Sequence, residues 1–88
     1  MTTPQDPARP NVLDVYALLD EYALLDENSS GGSLHIVLED GNLETHHVEF
    51  CRDWAREHGD ALGEQIAELM LRMTMTQRGQ LCRHWGRA

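Results

Sequence analysis

Residues 59–85, GDALGEQIAELMLRMTMTQRGQLCRHW, decide the fold class because they carry the signals of two successive helices. Gly59 can end one helix, and the side chain of Asp60 can cap the next, which we expect over 61–73. Five apolar side chains of that segment recur at helical spacing and would form one buried stripe: Leu62, Ile66, Leu69, Met70 and Met73.

A capping box follows this helix directly. Thr74 and Gln77 stand three residues apart, as in the motif in which each side chain bonds the main-chain N–H of the other. The box predicts a last helix over 75–85. Its inward side would carry Leu81, Cys82 and Trp85. Arg78 falls on the same side, so we expect it to meet a buried carboxylate such as Asp40 or a bound anion.

All three prolines lie in residues 1–10, which predicts a disordered tail before a single helical domain over 11–88. Asn11 can cap a first helix over 12–27. This helix contains the hexapeptide YALLDE twice in succession, over 16–27. Six residues advance a helix by about 600°, so the second copy points about 120° away from the first. The two resulting stripes either pack on one core, or one of them is offered to a partner. One stripe is Val12, Tyr16, Leu19 and Ala23, and the other is Val15, Leu18, Tyr22 and Leu25.

Residues 34–38, LHIVL, are the strongest strand signal, because they are β-branched at the centre and precede the turn sequence EDGN at 39–42. After the turn, a hairpin return competes with a helix over 43–58, and we favour the helix, with Asn42 as its cap. Its inward side would carry Leu43, His47, Val48, Phe50, Cys51, Trp54, Ala55 and His58. The predicted fold class is mainly α: a small four-helix domain with one short β-strand or hairpin between the first and second helices, after a flexible linker at 28–33.

The chain of 88 residues has fifteen acidic and seven basic side chains, and a net charge of −8. Such a charge disfavours contact with nucleic-acid phosphates or an anionic membrane and favours a basic partner. No apolar run approaches the roughly 20 residues of a membrane helix. The two cysteines form no C-x-x-C pair and follow no secretory signal, which favours a cytoplasmic protein.

Three residues could hold a zinc or iron ion: His35, His47 and Cys51, with Asp40 as a further ligand. His47 and Cys51 stand four residues apart on one helical face, within reach of a common metal. The alternative is that both are partly buried packing residues. Nearby carboxylates disfavour a reactive thiolate, and no nucleotide-binding, hydrolase or metalloprotease motif occurs, so we expect neither catalysis nor a cofactor.

A second arrangement could bind a small phosphorylated molecule or a nucleotide. Residues 72–88 hold four arginines and no acid, and arginine beside Trp85 can bind phosphate and stack a base. The predicted ligand-binding set is His35, Asp40, Asn42, Arg78 and Trp85. The alternative is that this basic helix packs on the acidic first helix.

The segment GGSLHIVLEDGNLETHHVEFCRDWA, followed by GD, an apolar helix and MTMTQRGQL, resembles small uncharacterised proteins of actinobacteria and their phages. The resemblance covers roughly residues 31–83 and leaves out the YALLDE duplication. It implies an accessory gene, often carried by a phage, and attaches no activity to the motif.

These features predict a non-enzymatic phage or prophage accessory protein that binds a host protein. An acidic face could inhibit a nucleic-acid-binding host or defence protein by standing in for phosphates. Two alternatives are a small-ligand binder that sequesters a phosphorylated or nucleotide molecule, and a metal-stabilised interaction module. A homodimer is also predicted, because it would pair the lone strand and cover the second apolar stripe of the first helix. Its interface would include Leu18, Tyr22, Leu25 and Ile36.

Overall fold

The computed structural model describes residues 10–26, 33–41 and 43–87, and these contain five helices. The helices are α1 (Val12–Asp26), α2 (Ser33–Asp40), α3 (Thr45–Glu57), α4 (Ala61–Leu71) and α5 (Met75–Arg87). The predicted mainly-α class is confirmed. The predicted tail lies outside the described residues except for Pro10, and the predicted linker lies outside them except for Ser33.

The predicted strand at 34–38 is wrong, because these residues lie within α2. A strand would bury Leu34, Ile36 and Leu38 together, since alternate side chains share a face. Instead Leu34, Val37 and Leu38 are 1, 8 and 2% exposed, while Ile36 is 59% exposed. Burial at positions i, i+3 and i+4 follows the helical period. The packing of this stripe on the core therefore overrides the β propensity of the segment.

The turn after α2 is a helix terminus rather than the start of a hairpin. Gly41 has a φ of 72°, and its N–H donates to the carbonyl oxygen of Val37 at 2.9 Å. A glycine in the left-handed region is a common way to end a helix. Because the described residues contain no strand, the argument for a dimer from an unpaired strand no longer applies.

Local capping signals set the starts of α1 and α5. Asn11 Oδ1 accepts the N–H of Leu13 at 2.9 Å, as predicted for the first helix. Thr74 Oγ1 accepts the N–H of Gln77 at 3.1 Å, and Gln77 Oε1 accepts the N–H of Thr74 at 3.0 Å. The predicted capping box is therefore confirmed in both directions.

The start of α3 differs from the prediction, and its end agrees with it. The helix begins two residues later than the expected 43–58, after Glu44, whose side chain makes no capping hydrogen bond. Asn42, the predicted cap, lies outside the described residues. Gly59 has a φ of 73° and follows the end of α3, as its sequence position predicts.

The predicted cap of α4 also anchors α1. Asp60 Oδ1 accepts the N–H of Gly63 at 3.0 Å, and its Oδ2 accepts the hydroxyl proton of Tyr22 at 3.2 Å. Gly63 leaves room for this carboxylate, because a Cβ at that position would meet Oδ2 of Asp60 and force the capping side chain to move. One carboxylate therefore caps α4 and holds the buried Tyr22 of α1 against it.

The five helices form a closed ring around one core. The main contacts run from α1 to α4, from α4 to α3, from α3 to α2, from α2 to α5, and from α5 back to α1. The buried apolar side chains are Val15, Leu19, Tyr22, Leu34, Val37, Leu38, Leu43, Val48, Cys51, Ala55, Ile66, Ala67, Met70, Met73 and Leu81. No helix in the described ranges combines the length and the apolar composition needed to cross a membrane.

Both stripes of α1 contribute to this core. Leu19 comes from one stripe, Val15 and Tyr22 come from the other, and all three are buried. Leu18 packs half-buried against the same cluster. Of the two interpretations of the duplication, the structure therefore shows packing of both stripes on one core.

Candidate protein-binding surface

Arg78, the inward-facing arginine of α5, is 4% exposed and binds main-chain oxygens of its own chain. Its Nε donates to the carbonyl of Met70 and its Nη1 to the carbonyl of Leu43, both at 2.8 Å. Nη1 also donates to Thr45 Oγ1 at 3.2 Å and to Met75 Sδ at 3.4 Å. Burial lowers the pKa of this guanidinium. Arg78 therefore ties together the end of α4, the start of α3 and α5.

The predicted carboxylate partner of Arg78 is not among these contacts. Within the described residues no acidic side chain pairs with it, and Asp40 is exposed at the end of α2. The expected carboxylate is replaced by two main-chain carbonyl oxygens, one in the last turn of α4 and one before the start of α3, which accept hydrogen bonds from the guanidinium. The acceptors of the hydrogen bonds that Arg78 donates all belong to the same chain.

The other predicted ligand-binding residues are not seen to join Arg78 in one site. The ring of Trp85 is partly buried and lies 6.0 Å from the ring of Tyr22. The side chain of His35 and the whole of Asn42 lie outside the described residues. The phosphate site expected from the sequence therefore has no assembled counterpart in the part of the chain described.

The predicted metal ligands are only partly described. Cys51 is 1% exposed in the core, and the ring of the half-buried His47 lies tilted by 39° against the ring of His46, with ring centres 4.1 Å apart. The side chain of His35 lies outside the described residues. Among the side chains that are described, no three His, Cys, Asp or Glu residues lie close enough to hold a metal ion. The packing environment of Cys51 agrees with the alternative weighed in the sequence analysis.

The residues of the predicted dimer interface divide between core and surface. Tyr22 is buried within one chain and Leu18 is half-buried, whereas Ile36 is exposed. The side chain of Leu25 lies outside the described residues. Ile36 is thus the member of this set that the structure places at the surface with an accessible side chain.

An outward face of α3 carries two neighbouring rows of side chains at four-residue spacing, the spacing that forms ridges along a helix. The first, which we call the aromatic row, is His46, Phe50, Trp54 and His58. The second, which we call the acidic row, is Glu49, Asp53 and Glu57. Together they make up what we call the α3 outer face.

Phe50 is the open centre of the aromatic row. Its side chain is 63% exposed and makes no ring contact with any described residue. One turn later, the ring of Trp54 is covered by His58, with ring centres 3.9 Å apart and planes 12° apart. His58 is held there because its Nδ1 lies 2.8 Å from the carbonyl oxygen of Trp54. An exposed phenyl ring between a histidine and a tryptophan offers an apolar contact to a partner.

The acidic row gives this face its charge. Glu49 and Glu57 are exposed and form no ion pair within the described residues. Asp53 pairs with its neighbour, with Arg52 Nε 3.0 Å from Asp53 Oδ1. Two of the three carboxylates beside Phe50 are therefore uncompensated, and the face attracts positive charge.

Of the two arginines of α3, Arg56 pairs with α4, whereas Arg52 lies between Asp53 of the acidic row and Glu68 of α4. Arg56 Nε donates to Glu64 Oε2 at 2.8 Å, and this hydrogen bond raises the pKa of Arg56. Arg52 Nε lies 3.9 Å from Glu68 Oε1. Beyond these ion pairs is a shallow groove of about 390 Å³ on the outer side of α4. Its lining is Ala61, Glu64, Gln65, Glu68, Leu69 and Arg72. The α3 outer face therefore keeps the negative charge of Glu49 and Glu57.

The sequence analysis placed Phe50 on the inward side of the helix, and this was wrong. A signal for the outward side was present in the sequence, because Phe50 and Glu57 are seven residues apart and point within about 20° of each other on a helix. Comparison of the chain with protein-family models, with curated proteins and with solved structures finds no match. The chemistry of the α3 outer face is therefore what bears on function.

Proposed function

We propose that this chain is a non-enzymatic protein-binding module that engages a basic protein partner through the α3 outer face. The observation that carries the proposal is Phe50, which is 63% exposed beside a row of carboxylates. Aromatic side chains are enriched at protein interfaces, and a few side chains near the centre carry most of the binding energy. Carboxylates at the rim favour a positively charged partner and speed its association.

We propose further that the chain is an accessory protein of the kind that actinobacterial phages carry, and that it acts in the host cytoplasm. It is supported by the resemblance over residues 31–83 and by the net charge of −8. A basic surface on a nucleic-acid-binding host or defence protein normally meets phosphates. The acidic row would occupy such a surface and inhibit the protein by exclusion.

The two alternatives have less support. A phosphorylated ligand would need the guanidinium of Arg78, whose hydrogen bonds go to Met70, Leu43 and Thr45 of the same chain. A metal-stabilised module would need the thiol of Cys51, which is buried in the core. No contact between described residues favours either of these functions.

The experiment is capture from an actinobacterial lysate by the immobilised protein, at low and at physiological salt, with retained proteins identified by mass spectrometry. Three baits are compared: the native chain, Phe50→Ala and Leu13→Ala. Leu13 is the matched control because it is similarly exposed, at 68%, and lies on α1.

We expect the native chain and Leu13→Ala to retain the same basic protein, and Phe50→Ala to lose it. Retention should weaken as salt rises, because the rim charges are screened. Equal retention by Phe50→Ala, or no specific retention by the native chain at either salt, would contradict the proposed function.

A further inference from the structure

We infer that the element bound on the α3 outer face is an amphipathic helix that carries an apolar row beside a basic row. The inference rests on the proposed function and specifies its partner. It comes from the spacing of the aromatic and acidic rows, which both repeat every four residues along α3. Such rows are ridges with a groove between them, and a ridge of a second helix fits that groove.

The length of the face suits about three turns of a partner helix. Residues 46–58 span twelve steps of about 1.5 Å, or roughly 18 Å. Phe50 lies near the middle of the two rows, with Trp54 one turn after it and His46 one turn before. Anchors near the centre of an interface, surrounded by contacts that exclude water, contribute most to affinity.

The other common modes of peptide recognition are not served by this face. Addition of a strand needs an open sheet edge, and the described residues contain no strand. Recognition of a proline-rich segment needs an aromatic-lined groove. Here the ring of Trp54 is already covered by His58. Packing of a second helix against α3 is the mode that this face suits, because two rows at four-residue spacing form ridges and a groove that accept a ridge of another helix.

Charge decides which helix fits. Glu49 and Glu57 have no ion-pair partner among the described residues, and Asp53 shares its charge with Arg52. A partner row of lysine or arginine beside its apolar row would meet these carboxylates while leucine-type side chains meet Phe50.

The inference is tested with three synthetic peptides and the full chain. The first peptide is an alanine-based helix with a leucine row at four-residue spacing and an adjacent lysine row. The second has the same composition with the lysine row on the opposite side of the helix. The third is the first peptide with two central prolines, which prevent helix formation. Affinities are measured by fluorescence anisotropy at low salt.

We expect the first peptide to bind at least tenfold more tightly than the other two. Phe50→Ala should weaken its binding about 30-fold, the size of a central anchor. Glu49→Gln with Glu57→Gln should weaken it a few-fold and reduce its dependence on salt. The matched controls, Leu13→Ala and Glu21→Gln on α1, should bind as the native chain does. Circular dichroism verifies that each variant is folded, and both glutamates are exposed, so their replacement leaves the core intact.

The outcomes separate this inference from the proposed function. Equal binding of the first and third peptides would overturn the helix, because an extended basic segment would then suffice. No binding of the first peptide, while the captured protein still depends on Phe50, would overturn the helix and leave the proposed function standing. If neither the peptide nor the captured protein depends on Phe50, both fall. If the native chain self-associates through Phe50 and this blocks peptide binding, the face belongs to a second copy, and the inference is overturned.

Discussion

Replacing Arg78 by methionine should destabilise the protein by about 3 kcal/mol. Methionine keeps an unbranched apolar stem and removes the donors, so the carbonyl oxygens of Met70 and Leu43 each lose a bond of 2.8 Å. The Leu43 carbonyl is left without a partner, which costs about 1–3 kcal/mol. The Met70 carbonyl still accepts the N–H of Met73 at 3.0 Å, so its lost bond costs about 0.5–1.5 kcal/mol, which gives about 1.5–4.5 kcal/mol for the two. The upper part of this range is offset, because the guanidinium no longer has to be desolvated.

The measurement is urea unfolding followed by helical circular dichroism. A loss of about 3 kcal/mol would lower the midpoint by about 2 M for a small domain. This is a large share of the roughly 4–13 kcal/mol expected for a chain of this length. Arg83→Met is the matched control, because Arg83 is exposed on the same helix and its loss should change stability by less than about 0.5 kcal/mol.

The pH dependence distinguishes carbonyl from carboxylate partners. Burial lowers the pKa of Arg78, so the folded chain binds its proton less tightly than the unfolded chain does. Stability from this group therefore rises with pH only in the alkaline range between the lowered and the ordinary pKa, and is constant near neutrality. The deficit of Arg78→Met should then be the same from mildly acidic to mildly alkaline pH. A deficit that shrinks as acid protonates a carboxylate, or an unchanged midpoint, would refute the reasoning.

Three further predictions concern single side chains. Asp60→Ala should lower the melting temperature by several degrees, because a lost cap costs about 1 kcal/mol and Tyr22 loses its acceptor. Asp60→Asn keeps an acceptor and should lower the melting temperature less, and equal decreases for the two variants would argue against the cap. Burial raises the pKa of the Cys82 thiol, so at mildly alkaline pH iodoacetamide should alkylate it more slowly than free cysteine, at a rate that rises with pH. Mass spectrometry of the modified peptide measures this rate, and a rate equal to that of free cysteine would contradict the prediction. Ile36→Glu should leave α2 folded and change stability by less than about 0.5 kcal/mol, because the side chain is 59% exposed; urea unfolding measures this, and a large loss would contradict the outward position of Ile36.

The sequence by itself determined where several helices start and stop. Asn11, Asp60 and the pair Thr74 and Gln77 act within three residues of themselves, and each cap is formed as predicted. Gly59 likewise has the positive φ that its position indicated. These features are predictable because the bonds that satisfy a helix terminus are local. The inward position of Arg78 was also predictable from the helical period.

Tertiary structure decided what the local pattern left open. The segment LHIVL is compatible with a strand that buries Ile36 and with a helix that buries Val37, and contact with α3 and α5 selects the helix. The same kind of contact turns Phe50 outward, which creates the α3 outer face. Arg78 bonds carbonyls eight and thirty-five residues away, so its partners could not be identified from neighbouring residues. The physical reason is common to all three: a short segment has several ways to segregate apolar from polar atoms, and only the surface it packs against selects one.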